Sequence, residues 1–362
     1  MINVQVDLGD RSYPILIESG SLPDIGDAIR KCYPGKNIAL ISDIAVADLY
    51  GETVLNSISD QGYKVQLYTF PTGEPSKSYG QLIRLHTALL ESGLKRDGLI
   101  VALGGGITGD LAGFVASTYL RGIDFVQVPT TLLAQVDSSV GGKVGINHPL
   151  GKNLIGNFAQ PKLVYIDPAT LKTLNQREIW AGLGEVVKYG LIWDASLFEL
   201  IEGSLDSLST LEDTDDLGKI ISICCHVKAE VVSKDEKEGG LRRILNFGHT
   251  LGHALEAATE YGYFKHGEAV VHGMRWACWA SKQEGYLSDK LFTRIDTLLR
   301  RFDVPAIPET ITPKILFEKS KMDKKQTDAG LNIVLINKLG SALVKKTQSM
   351  KDYIQGWFEY EY

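Results

Sequence analysis

Histidine is concentrated in one short part of the sequence, which makes this part the strongest candidate for chemistry. Four of the seven histidines are His249, His253, His266 and His272. The segment NFGHTLGHALE places His249, His253 and Glu256 at positions i, i+4 and i+7, which fall on one face of a helix. A single histidine is usually an ordinary core or surface residue. Clustered histidines beside glycines instead predict a metal site.

The spacing of these histidines excludes one common class of zinc enzyme. Metalloproteases of the HExxH type need glutamate directly after the first histidine, and here Thr250 follows His249. We therefore predict a different ligand set, with one histidine of this helix, His266, and a carboxylate from another segment. Glu185 in AGLGEVVKYG is a good candidate, because a helix would place Lys188 on its face and that pair is costly to bury alone. Two histidines and one carboxylate leave an open position on zinc.

A glycine loop indicates a nucleotide-binding site in the first half of the chain. The segment LIVALGGGITGDLAGF is typical of a buried strand, a turn and the start of a helix, and Gly104, Gly106 and Gly109 match G-x-G-x-x-G. Backbone N–H groups at such a helix start can meet a pyrophosphate without an intervening side chain. The spacing leaves two candidates for the ribose partner. Asp124 lies at the usual distance along the chain, and Asp43 ends a predicted strand.

A second polar segment combines lysines with glycines. The sequence VDSSVGGKVGINHPLGKN contains Asp137, Lys143, His148, Lys152 and Asn153. We predict a long loop here, because glycine is frequent and no regular apolar pattern is present. Long loops in compact domains are often functional. Lysines in such a loop favour an anionic substrate or a phosphate.

The elements around these residues divide the chain into an α/β part and a helical part. The apolar pattern predicts strands at Val4–Leu8, Tyr13–Glu18, Asn37–Ser42, Val65–Phe70, Leu99–Leu103, Phe125–Val128 and Leu163–Ile166. Helices are predicted at Tyr79–Ser92, Arg177–Ile192, Asp216–Ser233, Thr250–Glu260, Glu268–Glu284 and Asp289–Phe302. Asn332–Ile336 is the one strand predicted in the second half. These patterns favour a mostly parallel sheet in a domain of residues 1–176 and a mainly helical domain of residues 177–362.

Composition and charge limit the classes of function and location. The net charge is −6 and glycine accounts for 37 of 362 residues. An acidic chain is not expected to bind nucleic acid or an anionic membrane surface. We expect no secretory signal, no membrane span, and a cytoplasmic location. The four cysteines lack the spacing of a disulfide framework and are expected to be reduced thiols.

Taken together, these segments resemble the 3-dehydroquinate synthase family of sugar-phosphate cyclases. The resemblance is carried by GGGITGDLAGFVASTYLRGI, VPTTLLAQVDSSVGGKVGINHPLGKN, AGLGEVVKYG, KAEVVSKDEKEGGLRRILNFGHTLGHALE, HGEAV and MDKK. It covers nearly the whole chain in the right order. It implies an N-terminal Rossmann-like domain that binds NAD, a C-terminal mainly helical domain that binds Zn²⁺ or Co²⁺, and a homodimer.

The resemblance also implies roles for individual residues, carried over by position. The metal ligands would be Glu185, His249 and His266. NAD would contact Asp43, Glu74, Lys77, Gly105, Gly106, Asp110, Thr130, Thr131, Lys152, Thr170 and Thr173. The substrate would meet Arg121, Asp137, Lys143, Asn153, Lys188, Lys228, Arg242, Asn246 and Lys324. Glu238 and His253 match positions proposed for proton transfer, which the leaving phosphate could perform instead.

The reaction that this family implies converts 3-deoxy-D-arabino-heptulosonate 7-phosphate to 3-dehydroquinate and phosphate. It proceeds by transient oxidation with NAD, phosphate elimination, re-reduction and intramolecular aldol closure, in the shikimate pathway of aromatic amino-acid biosynthesis. The alternatives are another sugar-phosphate cyclase, such as a 2-deoxy-scyllo-inosose or valiolone-type synthase, and a metal-dependent polyol dehydrogenase of the glycerol type. A non-catalytic NAD-binding protein is disfavoured, because the expected metal and proton-transfer positions carry competent residues.

Overall fold

The computed structural model describes residues 1–211, 214–321 and 331–361. The chain forms two compact units. Unit 1 comprises Met1–Leu174 and Asp213–Lys237, and unit 2 comprises Asn175–Glu212 and Glu238–Tyr362. The division after Leu174 lies close to the predicted boundary at residue 176. The segment Asp213–Lys237, which that prediction assigned to the second domain, instead lies in unit 1.

Unit 1 is an α/β layer structure. Its strands are β1 (Ile2–Val6), β2 (Tyr13–Ile17), β3 (Asn37–Asp43), β4 (Lys64–Phe70), β5 (Leu99–Gly104), β6 (Asp124–Pro129), β7 (Lys143–His148), β8 (Gly151–Phe158) and β9 (Leu163–Ile166). Its helices are α1 (Ile25–Cys32), the single turn α2 (Ile44–Val46), α3 (Glu52–Asp60), α4 (Tyr79–Glu91), α5 (Gly106–Thr118) and α8 (Thr214–Lys234). All seven predicted strands are present, with their ends shifted by no more than two residues.

The main sheet has seven strands in the order β1-β2-β9-β6-β5-β3-β4. Only the β1–β2 pair is antiparallel among them. Along β5, Leu99, Val101 and Leu103 join one apolar cluster, while Ile100 and Ala102 join another. Because alternate side chains of a strand point to opposite faces, the sheet is buried on both faces at β5. This explains why β5 is a nearly continuous apolar run.

The order of the strands defines where a ligand can bind to unit 1. The chain runs from β3 outward to β4 and then returns to β5 on the other side, so the switch point lies between β3 and β5. Ligands in open α/β sheets gather at the carboxyl ends of the strands at such a point. Asp43 ends β3 and Gly104 ends β5 at this edge.

The predicted long loop between residues 136 and 153 was wrong for most of its length. The segment instead forms the antiparallel hairpin β7–β8, in which Gly145 pairs with Gly156. A Cβ atom on Gly145 would lie 2.5 Å from the carbonyl oxygen of Ile155, so glycine permits this close strand approach. Glycine lowers strand propensity, and this is why the composition suggested a loop.

Unit 2 is mainly helical. Its helices are α6 (Gln176–Ile192), α7 (Ala195–Thr210), α9 (His249–Ala258), α10 (His266–Gln283), α11 (Asp289–Leu299), α12 (Pro313–Ser320) and α13 (Met350–Glu361). The strands β10 (Leu331–Lys338) and β11 (Ser341–Thr347) form a hairpin. The expectation of a single strand in this half was therefore wrong, because the half-exposed β11 lacks a clear apolar pattern. None of the helices in the described ranges is both long and apolar enough to cross a lipid bilayer.

Close backbone packing brings three helices of unit 2 together. Helix α10 packs against both α6 and α9. A Cβ atom on Gly267 would lie 1.8 Å from the carbonyl oxygen of Ala181, and one on Gly273 would lie 1.8 Å from that of Gly248. Glycine is therefore required at both positions. This packing brings Glu185 of α6 close to the histidines of α9 and α10.

Candidate metal and nucleotide sites

The glycine loop of unit 1 has the geometry of a phosphate-binding helix start. Helix α5 begins at Gly106, directly after β5, and Gly105 precedes it as the N-cap with extended backbone. The N–H of Thr130 donates to the carbonyl oxygen of Gly104 at 3.0 Å, which ties the end of β6 to the loop. A Cβ atom on Gly105 would lie 2.9 Å from Thr131 Cγ2 and would fill the space before the helix. The loop therefore fits a pyrophosphate.

Asp43 lies at the same edge of the sheet as this loop. Its carboxylate accepts from Thr72 Oγ1 at 2.9 Å, from the N–H of Val46 at 3.2 Å and from Thr108 Oγ1 at 3.3 Å. Asp124, the other candidate for the ribose, begins β6 and pairs with Leu99 at the opposite edge. Of the two ribose candidates, Asp43 is the one that lies at the sheet edge carrying the glycine loop.

Lys77 and Asp110 form an ion pair that connects the segment after β4 to the first turns of α5. Burial raises the pKa of Asp110, and the neighbouring Lys77 ammonium opposes that rise. Glu74, in the same segment as Lys77, accepts from Asn147 Nδ2 at 2.7 Å. These contacts hold the expected nucleotide residues of this segment against the hairpin and the helix.

The expected nucleotide residues Thr170 and Thr173 lie in a short helical segment after β9. Tyr50 donates to the carbonyl oxygen of Thr170 at 2.9 Å, and its hydroxyl lies 2.7 Å from Thr173 Oγ1. Gln135 Nε2 donates to Thr170 Oγ1 at 3.1 Å. The partners of the two threonines in these contacts, Tyr50 and Gln135, both belong to unit 1.

The expected substrate residues Asp137 and Lys228 meet within unit 1. Lys228 of α8 is 5% exposed, and its Nζ lies 2.7 Å from Asp137 Oδ1 and also bonds the Asp137 carbonyl oxygen. One turn earlier in α8, burial raises the pKa of Cys225 to about 12, so this thiol stays protonated and is not a nucleophile. Asp137 and Lys228, which are distant in sequence, thus form one charged pair.

The remaining expected anion-binding residues of unit 1 lie on turns and on the hairpin. Lys143 begins β7, and Lys152 lies in β8. Asn153 has a φ of 55° and donates its backbone N–H to Asn147 Oδ1 at 2.9 Å. Arg121 follows α5 with a φ of 74°, in the left-handed region that non-glycine residues rarely adopt. The backbone is therefore strained where Arg121 and Asn153 are presented.

In unit 2, Glu185 and two histidines form a compact donor set. Glu185 is fully buried, and its Oε1 lies 3.8 Å from both His249 Nε2 and His266 Nε2. This Oε1 has no hydrogen-bond partner among the described residues, while Oε2 accepts from Lys188 Nζ. An orphaned buried carboxylate oxygen facing two imidazole nitrogens is costly without a cation. The donor set fits a divalent metal ion of the zinc type.

His253 belongs to the same cluster. One ring nitrogen from each of His249, His253 and His266 lies within 4.8 Å of the other two. The ring of His253 lies 5.3 Å from that of His249 and 5.7 Å from that of His266, measured between centroids. Geometry therefore leaves His253 either as a ligand or as a neighbour of the ligands.

The protonation of His249 suits a metal ligand. Burial lowers the pKa of His249 well below its usual value, and the nearby Lys188, His266 and His253 lower it further. Its Nδ1 lies 3.1 Å from the carbonyl oxygen of Phe247, to which the Nδ1–H donates. The neutral ring then presents the Nε2 lone pair toward Glu185, as metal coordination requires.

Two expected polar residues meet where unit 2 resumes after α8. Glu238 has a φ of 60° and accepts from Asn246 Nδ2 at 2.6 Å. Arg242 lies in the short helical segment Leu241–Asn246 and is 2% exposed. Three residues with roles implied by the resemblance, Glu238, Arg242 and Asn246, therefore lie in one short part of the chain. Lys324 lies outside the described residues.

Sequence reasoning gave no site role to several residues that the structure places around these groups. Thr72 and Thr108 hold Asp43, and Asn147 links Glu74 to Asn153. Glu256, noted only for its position on the helix face, lies 3.0 Å from His266. For Glu256 the i+7 spacing from His249 was a usable signal. For the others no signal exists, because their contacts cross between separate elements.

Two family models match adjoining parts of the chain. The 3-dehydroquinate synthase N-terminal model matches residues 67–181, and the 3-dehydroquinate synthase C-terminal model matches residues 182–326. Among curated proteins, the 3-dehydroquinate synthase of Pelobacter propionicus is 50% identical and aligns over 94% of both chains. That of Desulforamulus reducens is 46% identical over 98% of this chain and 99% of the relative.

Solved structures with similar folds include other cyclases. A 2-deoxy-scyllo-inosose synthase complexed with carbaglucose-6-phosphate, NAD⁺ and Co²⁺ has a TM-score of 0.88 and 27% identity, covering 98% of this chain and 99% of that one. A 2-epi-5-epi-valiolone synthase from Streptomyces hygroscopicus with NAD⁺ and Zn²⁺ bound has a TM-score of 0.88 and 26% identity, covering 98% of both. The glycerol dehydrogenase of Schizosaccharomyces pombe, at 15% identity and a TM-score of 0.66 over 96% of this chain and 90% of that one, shares the fold alone.

Proposed function

The chain belongs to the 3-dehydroquinate synthase family, and from this premise we propose that unit 1 holds NAD and unit 2 holds a divalent metal ion. The reaction is the conversion of 3-deoxy-D-arabino-heptulosonate 7-phosphate to 3-dehydroquinate and phosphate. The observation that carries the proposal is the orphaned Oε1 of Glu185, which is buried at 3.8 Å from the Nε2 atoms of His249 and His266. A site with these three donors keeps a position open for a substrate oxygen.

We propose a separate set of residues to hold each of the two groups. Glu185, His249 and His266 are the proposed ligands of Zn²⁺ or Co²⁺. NAD is proposed to bind Asp43, Glu74, Lys77, Gly105, Gly106, Asp110, Thr130, Thr131, Lys152, Thr170 and Thr173. When bound, the metal ion polarises a substrate hydroxyl and NAD reversibly accepts a hydride.

The side chains of unit 1 are proposed to bind the anionic groups of the substrate. The substrate carries a phosphate and a carboxylate, which explains cationic residues in a chain with a net charge of −6. Buried Lys228 holds Asp137 in one orientation through the 2.7 Å contact. We propose that the carboxylate of Asp137 accepts from a substrate hydroxyl. Arg121, Lys143 and Asn153 are proposed to meet the substrate from the strained turn and the hairpin.

The side chains of unit 2 are proposed to bind the substrate near the metal ligands and to move protons. The ammonium of Lys188 bonds Oε2 of Glu185, and we propose that Oε1 is thereby left to bind the metal ion. His253 and Glu238 are the proposed proton-transfer groups, with the leaving phosphate as the alternative base. Arg242, Asn246 and Lys324 are proposed as further substrate contacts.

The proposed function is tested by measuring phosphate and NADH together. The purified protein is given the heptulosonate phosphate, Zn²⁺ and NAD at an amount far below that of the substrate. We expect stoichiometric phosphate without lasting absorbance at 340 nm, because each turnover restores NAD. Phosphate from a hexose 6-phosphate but not from the heptulosonate would favour a related cyclase. NADH that accumulates with glycerol, without phosphate release, would favour a polyol dehydrogenase.

We also propose that the protein is a cytoplasmic homodimer, as the family resemblance implies. A mass of two chains by light scattering at micromolar concentration would support the dimer. A mass of one chain at that concentration would contradict it.

Lys228→Met is expected to lower kcat/KM about 100-fold or more, because Asp137 loses a buried cationic partner. Lys219→Met is a matched control, since Lys219 lies on the same helix in an exposed pair with Asp216. Steady-state phosphate release measures both variants, and NAD titration checks that the nucleotide site is intact. Equal kcat/KM in the two variants would remove Lys228 from the site.

A further inference from the structure

A buried carboxylate of unit 2 contacts a proposed metal ligand from the side opposite the metal. Glu256 of α9 is 3% exposed, and its Oε2 lies 3.0 Å from Nδ1 of His266. His266 Nε2, on the other side of the ring, lies 3.8 Å from the orphaned Oε1 of Glu185. The imidazole of His266 therefore lies between the carboxylates of Glu256 and Glu185, with Nδ1 toward the first and Nε2 toward the second.

The contact with Glu256 determines which nitrogen of His266 carries hydrogen. An ionised carboxylate accepts hydrogen bonds and does not donate them, so with Glu256 ionised Nδ1 is the protonated nitrogen. In the neutral ring this leaves the lone pair on Nε2, which faces Glu185. His249 is held in the same way, with Nδ1 on the carbonyl oxygen of Phe247 at 3.1 Å. Both proposed histidine ligands thus have Nδ1 on an acceptor and Nε2 toward one point.

We propose that Glu256 is a positioning residue that holds His266 as a metal ligand through Nε2. The inference rests on the proposed metal site. A carboxylate behind a ligating histidine fixes the ring and makes the other nitrogen a stronger donor, and its loss typically weakens metal affinity about 10–100-fold. Glu256 follows His249 by seven residues, which is two turns of α9, so the two side chains lie on the same face of this helix. From this face Glu256 contacts His266.

The test is metal affinity, measured without turnover. The metal-stripped protein is titrated with Zn²⁺ against a coloured chelator, and with Co²⁺ while the visible absorption of the bound ion is recorded. Glu256→Leu keeps the side-chain volume but removes the acceptor, so we expect the Kd for Zn²⁺ to rise about 10–100-fold. Glu256→Gln keeps an acceptor without the charge, and a rise of about 3–10-fold is expected. The exposed neighbour Glu260, changed to glutamine, is the matched control and should leave Kd unchanged.

A purely structural role for Glu256 gives a different result. It would lower the unfolding temperature of the metal-free protein while leaving the Kd of the folded fraction unchanged, and this outcome would overturn the inference. If Glu256→Leu does not fold, the same criterion is applied to Glu256→Gln, and an unchanged Kd overturns the inference. His266→Ala separates the two proposals. If it also retains metal at the wild-type Kd, the metal site itself is wrong, whereas loss only in His266→Ala rejects Glu256 alone.

Discussion

His266→Ala is expected to abolish turnover, with a fall in kcat/KM of at least about 10⁴-fold, while the protein stays folded and still binds NAD. The reason is that the variant removes one of three proposed ligands and leaves Glu185 Oε1 facing a single imidazole nitrogen. Metal content after gel filtration, measured by mass spectrometry, is expected to fall from one ion per chain to a small fraction of that. The proposed NAD-binding residues lie in unit 1, so the dissociation constant of NAD should change little.

His226→Ala is the control for this prediction. His226 is an exposed histidine on α8 in unit 1, so its loss removes an imidazole without touching the cluster. Full activity and full metal content are expected for it. Near-normal phosphate release by His266→Ala would contradict the metal assignment.

The same measurement separates two ligand sets that share His249 and His266. If Glu185 is the third ligand, Glu185→Gln loses the metal ion and His253→Gln retains it. The reverse result would make His253 the ligand. The orphaned Oε1 of Glu185 favours the first outcome, because no other described group satisfies this buried atom.

The central strands of the main sheet could be predicted because both of their faces are buried. A run such as LIVALG is apolar at every position, and its short length and the glycines that follow it favour a buried strand over a buried helix. The hairpin β7–β8 could not be predicted in this way. Gly145 and Gly156 face each other across its strands, and the energetic benefit lies in close approach, which residue propensity does not measure.

The position of α8 shows a second limit of prediction from sequence, which is that a helix can be predicted without its packing partner. The pattern over Asp216–Ser233 predicts a helix, and the observed helix is Thr214–Lys234. An apolar stripe indicates that a helix face is buried, but it does not specify what covers that face. Helix α8 packs against β1, and its Lys228 contacts Asp137, which lies 91 positions earlier in the chain. Such contacts are set by the tertiary fold.

The candidate site could be predicted in residue type more readily than in geometry. The choice between Asp43 and Asp124 depended on which end of a strand each occupies, and strand register supplies that. The metal cluster was indicated by the density of histidine, and the helical spacing singled out Glu256, which contacts His266. The acceptor behind the His249 ring could not be read from spacing. The carbonyl oxygen of Phe247 illustrates this, because a backbone acceptor leaves no trace in residue type.

Gly105→Val is expected to weaken NAD binding at least about 100-fold, because the side chain enters the space that the pyrophosphate needs. The Cβ atom alone would lie 2.9 Å from Thr131 Cγ2, so the loop or Thr131 must shift. The backbone of Gly105 has a φ of −73°, which valine adopts readily. The effect is therefore steric at the loop and does not come from strain in the backbone.

Gly80→Val is the matched control for this prediction, since Gly80 lies in α4 of the same unit and a Cβ atom there meets nothing within 4 Å. Quenching of protein fluorescence or calorimetric titration with NAD measures both variants. The control should bind NAD as the wild type does.

Metal content should stay at one ion per chain in both variants, because the proposed ligands belong to unit 2. Tight NAD binding by Gly105→Val would mean that the nucleotide lies elsewhere on the sheet edge. Joint loss of NAD and metal would instead indicate general unfolding, which far-ultraviolet circular dichroism of the same sample would reveal. Only selective loss of NAD supports the role of the loop.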